Sequence, residues 1–139
     1  MVAIRSVASD SDFDAVVAPP PIPSPLHRPS VSARPPPSIC IVQFFATWCQ
    51  PCVRTHLVLQ QLAEQFQTVP VVKADIDRVP KTVDRVGVGE VPCFVLFEAG
   101  REVRRVGGDV TQLVAMMEDA SRRIHLFQET SIATTLSRL

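Results

Sequence analysis

The stretch from residue 39 to residue 74 confines the possible folds more than anything else in the chain. Ile39-Cys40-Ile41-Val42-Gln43-Phe44-Phe45 is a nearly unbroken apolar run. Such a run suits a central strand covered on both faces, because a one-sided sheet would leave half of these side chains in water. Residues 52–67 then place Leu59, Leu62, Ala63 and Phe66 on one face of a helix. Val69-Pro70-Val71-Val72-Lys73-Ala74 reads as a second strand. Strand, helix and strand at these lengths make a βαβ unit, with parallel strands and a right-handed crossover.

The rest of the chain extends this unit. Residues 2–7 alternate loosely as a short strand. Ser9-Asp10-Ser11-Asp12 opens a helix whose apolar face is Phe13, Val16 and Val17. Pro80 opens a short helix that Gly87 ends. Residues 93–97 form a buried strand and residues 98–101 a turn. Residues 102–106 return, with Val103 and Val106 on the apolar side. Asp109 and Gln112 have capping-box spacing. The helix they introduce spans residues 110–126, with Leu113, Met116, Met117, Ala120 and Ile124 as a core stripe. The expected class is α/β, a central mixed β-sheet flanked by helices on both faces.

Thirteen prolines are unevenly spread, nine of them between Pro19 and Pro37. They set φ and remove amide donors, so residues 19–38 are expected as a flexible, extended loop. The elements on either side of it complete one fold. The expectation is therefore a single domain over residues 1–126 with this loop inserted, followed by a C-terminal tail over residues 127–139. The loop is an inert insertion or a ligand for a proline-reading module.

Fourteen basic and fourteen acidic residues cancel, which argues against a broad grip on nucleic acid or an anionic membrane. Nothing approaches the roughly eighteen apolar residues of a membrane span. Four cysteines are too few for a disulfide-stapled secreted scaffold. The N-terminal residues resemble neither a signal nor a transit peptide. The default compartment is a reducing one, the cytoplasm. Ser137-Arg138-Leu139 resembles a peroxisomal address, which keeps a peroxisome-type organelle open. Arg101, Arg104, Arg105, Arg122 and Arg123 read as solvated basic clusters, and His27 and His125 as surface residues.

The chemistry is concentrated in Trp48-Cys49-Gln50-Pro51-Cys52. Two cysteines three apart in one turn can close a small disulfide ring. Cys49 is expected at the mouth of the helix, where the dipole and free N–H groups favour its thiolate. Cys52, one turn in, is expected to be more shielded, giving an exposed nucleophile and a buried resolver. Pro51 suits the first helical turn and stiffens the ring. Trp48 supplies a flat apolar wall. The competing reading is half of a zinc site, for which His56 completes a Cys49/Cys52/His56 cluster. The second paired ligand set such sites normally need is missing.

Phe44-Phe45-Ala46-Thr47-Trp48-Cys49-Gln50-Pro51-Cys52 resembles the active-site segment of the thioredoxin family. Val72-Lys73-Ala74-Asp75-Ile76-Asp77, Val86-Gly87-Val88, Val91-Pro92, Leu96-Phe97-Glu98-Ala99-Gly100 and Val106-Gly107 follow in that family's order. The resemblance covers about residues 1–18 and 39–125. It implies a thioredoxin-like fold and a protein-disulfide reductase working by a dithiol–disulfide cycle. Cys49 is the implied nucleophile and Cys52 the resolving thiol, with Gln50 and Pro51 completing the ring. Val91-Pro92 is the implied cis-proline turn, and Trp48, Val91, Pro92 and Gly107 the substrate-docking surface. The implied partners are disulfide-containing proteins and an upstream reductase or dithiol donor, with no organic cofactor or metal. The expected protein is a monomer that binds neither nucleic acid nor membrane. A non-catalytic binding module or a metal-binding protein on the same fold is the alternative.

This chain departs from the family at several positions. Gln43 stands where a buried aspartate is usual, and an amide cannot act as a general base. Lys73 matches the lysine that usually pairs with that acid, so here it lacks that partner, and Gln43 and Lys73 stand as supporting residues of the site. The expectation is slower deprotonation of Cys52. Gln50 replaces a glycine, Phe45 a second Trp, and Leu57 a helix-kinking Pro. Cys93 follows Pro92 where Thr is usual. It is either close enough to Cys49 for an alternative disulfide or a small buried residue at a strand start. Cys40 is expected to be buried and inert.

Overall fold

The computed structural model describes residues 3–18 and 38–137, and of residues 127–135 the backbone alone. The proline-rich residues 19–37, with His27, lie outside the described residues, as do Arg138 and Leu139. Nine elements follow in the order β1 (Arg5–Val7), α1 (Asp10–Val17), β2 (Ile39–Phe45), α2 (Gln50–Gln65), β3 (Val71–Asp75), α3 (Pro80–Val86), β4 (Cys93–Glu98), β5 (Arg101–Val106) and α4 (Val110–Ser137). The five strands lie in the order β1-β3-β2-β4-β5. β1, β3 and β2 run parallel, and β4 and β5 antiparallel to their neighbours. The chain thus adopts the expected thioredoxin-like architecture, a mixed sheet between two layers of helices.

Strand periodicity divides the core. On β2, Cys40, Val42 and Phe44 pack with Phe13 and Val17 of α1 and Val83 and Val86 of α3. Ile39 and Ile41 pack on the opposite face with Leu59 and Leu62 of α2 and Leu113, Met116 and Met117 of α4. Successive side chains of a strand point to opposite faces, so Gln43 shares the α2 side with Ile41. The Phe13 ring, fully buried, meets Phe44 at 5.9 Å and Phe97 edge-on at 5.6 Å. Both centroid separations are in the range favoured by aromatic pairs.

Local chemistry sets the element ends. Ser9 caps α1, its Oγ accepting from Asp12 N at 3.1 Å. Asp109 Oδ1 accepts from Gln112 N at 3.2 Å at the start of α4. Gly87 ends α3 in the left-handed region at φ 74°, where a Cβ is costly. In the β4–β5 turn Ala99 and Gly100 both have positive φ, the signature of a tight hairpin. Across the proline-rich segment, Ser38 Oγ donates to Ala18 O at 3.0 Å, and Ser38 O accepts from Ala99 N at 3.0 Å. β1 pairs with β3, so residues on both sides of the segment share one sheet.

Three expectations are corrected. Val103 is exposed and only Val106 is buried. A register shift at Leu96/Phe97 pairs Phe97 with Glu102 and Leu96 with Arg104, leaving Val103 as the extra residue of a bulge. The last helix does not stop near Leu126 but continues to Ser137. No Gly or Pro interrupts residues 110–137, so no local signal breaks the helix where the apolar stripe ends. The arginines are not simply a solvated face. Arg105 donates to the Val86 and Gly87 carbonyls at 2.6 and 2.8 Å while paired with Glu102. Arg123 bridges Asp119 and Glu98. His125 is exposed, as expected.

Phe13 locks α1 onto the sheet, so Phe13→Ala is expected to cost about 3–5 kcal/mol. Urea denaturation followed by circular dichroism would show a lowered midpoint.

Candidate active site

The carboxyl end of β2 delivers the chain through Ala46, Thr47 and Trp48 to the start of α2. Cys49 is the N-cap residue of α2, in an extended conformation, and its Sγ accepts from Cys52 N at 3.2 Å. The Cys52 amide and the positive end of the helix dipole therefore both bear on this sulfur. Cys49 and Cys52 are joined in a disulfide with their Cα atoms 5.3 Å apart. Pro51 sits in the first turn, where a missing N–H breaks no helical bond. Thr55 Oγ1 donates to the Pro51 and Cys52 carbonyls at 3.0 and 3.2 Å. With Leu57 in place of a kinking Pro, α2 runs unbroken from Gln50 to Gln65.

The expected contrast between an exposed and a shielded cysteine does not hold in the disulfide form. Cys49 is 5% exposed and Cys52 4%. The two pack with Ala46, and against Phe45, Ile76 and Val91. Trp48 is 68% exposed beside them. The Val91–Pro92 peptide is cis, as the sequence suggested. Pro92 and Gly107 line one shallow depression together with Glu90, Arg105 and Gln112. A Cβ on Gly108 would stand 3.4 Å from the Pro92 ring, whereas one on Gly107 would meet nothing within 4 Å. Gly108 is thus the glycine in closest approach to the proline.

Cys93 fits the second of its two readings, a buried residue at the start of β4. It pairs with Phe44 across β2 and β4 and packs with Phe44, Val95 and Phe97 on the α1/α3 face, whereas α2 covers the other. Cys93 and Cys40 are free and buried. Burial pushes the Cys40 thiol up to about 12, and also raises Cys93.

Behind the disulfide lies a cavity of about 230 Å³. Gln43, Cys49, Cys52, Val53, His56 and Lys73 are among its walls. Gln43 is 1% exposed, and its Oε1 lies 3.1 Å from His56 Nδ1. Lys73 is the register neighbour of Gln43 on β3. The amide that replaces the usual aspartate is thus paired, but with a histidine. Sequence reasoning considered His56 only as a metal ligand. The available signals were its i+4 offset from Cys52 and the strand parity that turns Gln43 toward α2. Among the described residues no group of three His, Cys, Asp or Glu side chains is placed to hold a metal ion.

Comparison with known proteins agrees with this geometry. The Thioredoxin family profile matches residues 30–119. A thioredoxin of Chlamydia muridarum is 40% identical over 70 residues, covering 50% of this chain and 69% of its own. Thioredoxin Asp f 28 of Aspergillus fumigatus is 35% identical over 83 residues, covering 58% and 77%. Among solved structures, the thioredoxin Mala s 13 of Malassezia sympodialis superposes with a TM-score of 0.69 at 22% identity, over 87% of this chain and 93% of that one.

The burial pattern makes a simple labelling experiment informative. After mild reduction at pH 8, a thiol reagent should titrate two thiols in the native protein and all four only after unfolding. A third thiol reacting as fast as the pair would show that the Cys93 or Cys40 packing is misjudged.

Proposed function

The chain belongs to the thioredoxin family and is a thiol–disulfide oxidoreductase, and on that premise we propose a specific role for each site residue. Cys49, once reduced, is the nucleophile. Its thiolate attacks one sulfur of a protein disulfide, the substrate S–S bond breaks, and a mixed disulfide forms. Cys52 then attacks Cys49 Sγ. The electron pair of the mixed disulfide leaves with the substrate sulfur, and the Cys49–Cys52 bond closes. The substrate gains two electrons as a dithiol, and the protein waits for an upstream reductase or dithiol donor to restore its own.

The observation that carries this reading is Cys49 at the N-cap of α2, its Sγ accepting the Cys52 amide. That contact favours the thiolate without a neighbouring base, since a helix N-terminus lowers a thiol pKa. Trp48, Val91, Pro92 and Gly107 supply the substrate surface, with the exposed Trp48 ring and the Val91 backbone receiving an extended segment. Gln50 and Pro51 hold the ring shape. The reaction runs on the redox-active disulfide with no added cofactor, in a monomer and on protein partners. Residues 1–126 act as one domain carrying the proline-rich insertion. Among the described residues no helix is long and apolar enough to cross a membrane.

Reduction of insulin supplies the test. Cys49→Ser should abolish turnover, and Cys52→Ser should accumulate a mixed disulfide visible on non-reducing gels. Wild-type rates from Cys49→Ser would sink the assignment.

A further inference from the structure

Resolution of the mixed disulfide needs Cys52 to lose a proton, and the usual buried carboxylate is absent. The structure places another group at the same cavity. Gln43 comes from β2, Lys73 from β3, and Cys49, Cys52 and His56 from α2. His56 is one helical turn beyond Cys52, so the two share a face of α2. We propose that His56 accepts the Cys52 proton in the resolving step and that Gln43 positions its ring. The proposal rests on the reductase reading above and adds a residue to it.

The hydrogen bond determines which nitrogen can serve. Gln43 Oε1 is a carbonyl oxygen and only accepts, so His56 Nδ1 carries the proton in the 3.1 Å contact. In the neutral ring Nε2 then holds the free lone pair. Gln43 thus does for the ring what a carboxylate often does, selecting one tautomer, but without adding charge. The cavity that Cys52 and His56 both line, about 230 Å³, exceeds the roughly 30 Å³ share of one water, so the transfer has room for a water relay. Burial, and then the Lys73 charge, hold the His56 pKa below the ordinary histidine range. His56 is therefore neutral and able to accept at neutral pH. Lys73 is the fixed cation facing it from the sheet, and the other titratable groups on the cavity wall are the two cysteines.

The step balances. The Cys52 S–H bond breaks and its proton moves to His56 Nε2. The Cys52 sulfur bonds to Cys49 Sγ. The pair from the broken mixed disulfide leaves on the substrate sulfur, which takes the proton back from the imidazolium. His56 ends as it began.

The full chain, reduced and mixed with an aromatic disulfide that releases a coloured thiolate, separates the two steps. The first release reports attack by Cys49 and the second reports resolution by Cys52. In wild type the second rate should fall as pH drops through the lowered His56 pKa, because imidazolium cannot accept. His56→Ala and His56→Asn should keep the first release, lose that inflection, and slow the second release at pH 7.5 by about 100-fold, the lower end of general-base effects. Asn retains a donor toward Gln43, so a purely structural histidine would be rescued by it. A wild-type second rate and pH profile in folded His56→Asn overturns the proposal. Gln43→Leu should slow resolution but keep the inflection, and an unchanged rate would remove Gln43 from it. Cys49→Ser should abolish both releases. If it does not, the reductase reading falls, whereas normal first and second releases in the His56 variants defeat this inference alone.

Discussion

Burial of β2 on both faces governs the molecule. A strand with no solvent side must direct every side chain into one of two helical layers. On β2, even-numbered residues meet α1 and α3, and odd-numbered residues meet α2 and α4. That parity turns Gln43 toward the underside of α2 and Phe44 away from it. It also orients β4, whose Phe94 and Leu96 join the α2 side while Cys93, Val95 and Phe97 join the other. The strand ends where the chain must leave the sheet and begin α2, and at that junction the Cys52 amide, which has no helical carbonyl to meet, donates to Cys49 Sγ. A sulfur placed there meets a preformed anion site.

In the proposed cycle the two cysteines carry separate tasks. Both cysteines are buried in the disulfide form, with Trp48 exposed beside them, and both line the pocket that Gln43, His56 and Lys73 share. Placing an ionised carboxylate in that pocket would carry a large desolvation cost unless it were well paired. The amide–imidazole contact between Gln43 and His56 avoids a permanent buried negative charge, and leaves Lys73 as the only fixed charge among the residues lining the cavity.

Much of this was legible in residue order. A doubly buried strand and a cysteine pair at a helix mouth have strong local signatures, and β2 and the α2 start follow them, whereas the cis Val91–Pro92 peptide was legible only through the family resemblance. The failures share a physical cause, which is that they depend on a partner far along the chain. Val103 left the apolar side because β4 and β5 slip by one residue against each other. His56 acquires its meaning from Gln43, thirteen residues away on another element. The far end of α4 was missed for the opposite reason. Helix geometry persists there because no Gly or Pro interrupts the sequence.

The Ser38–Ala18 hydrogen bond has an engineering consequence. Chain leaving α1 and chain arriving at β2 meet at one point beside the β4–β5 turn. Whatever lies between therefore begins and ends at the same doorway, and doubling its length adds only about 0.6 kcal/mol of closure entropy. The fold carries a ready port for grafting a peptide, a reporter or a second module, connected to the sheet whose β2 strand leads to the cysteine pair but entering it between α1 and β2.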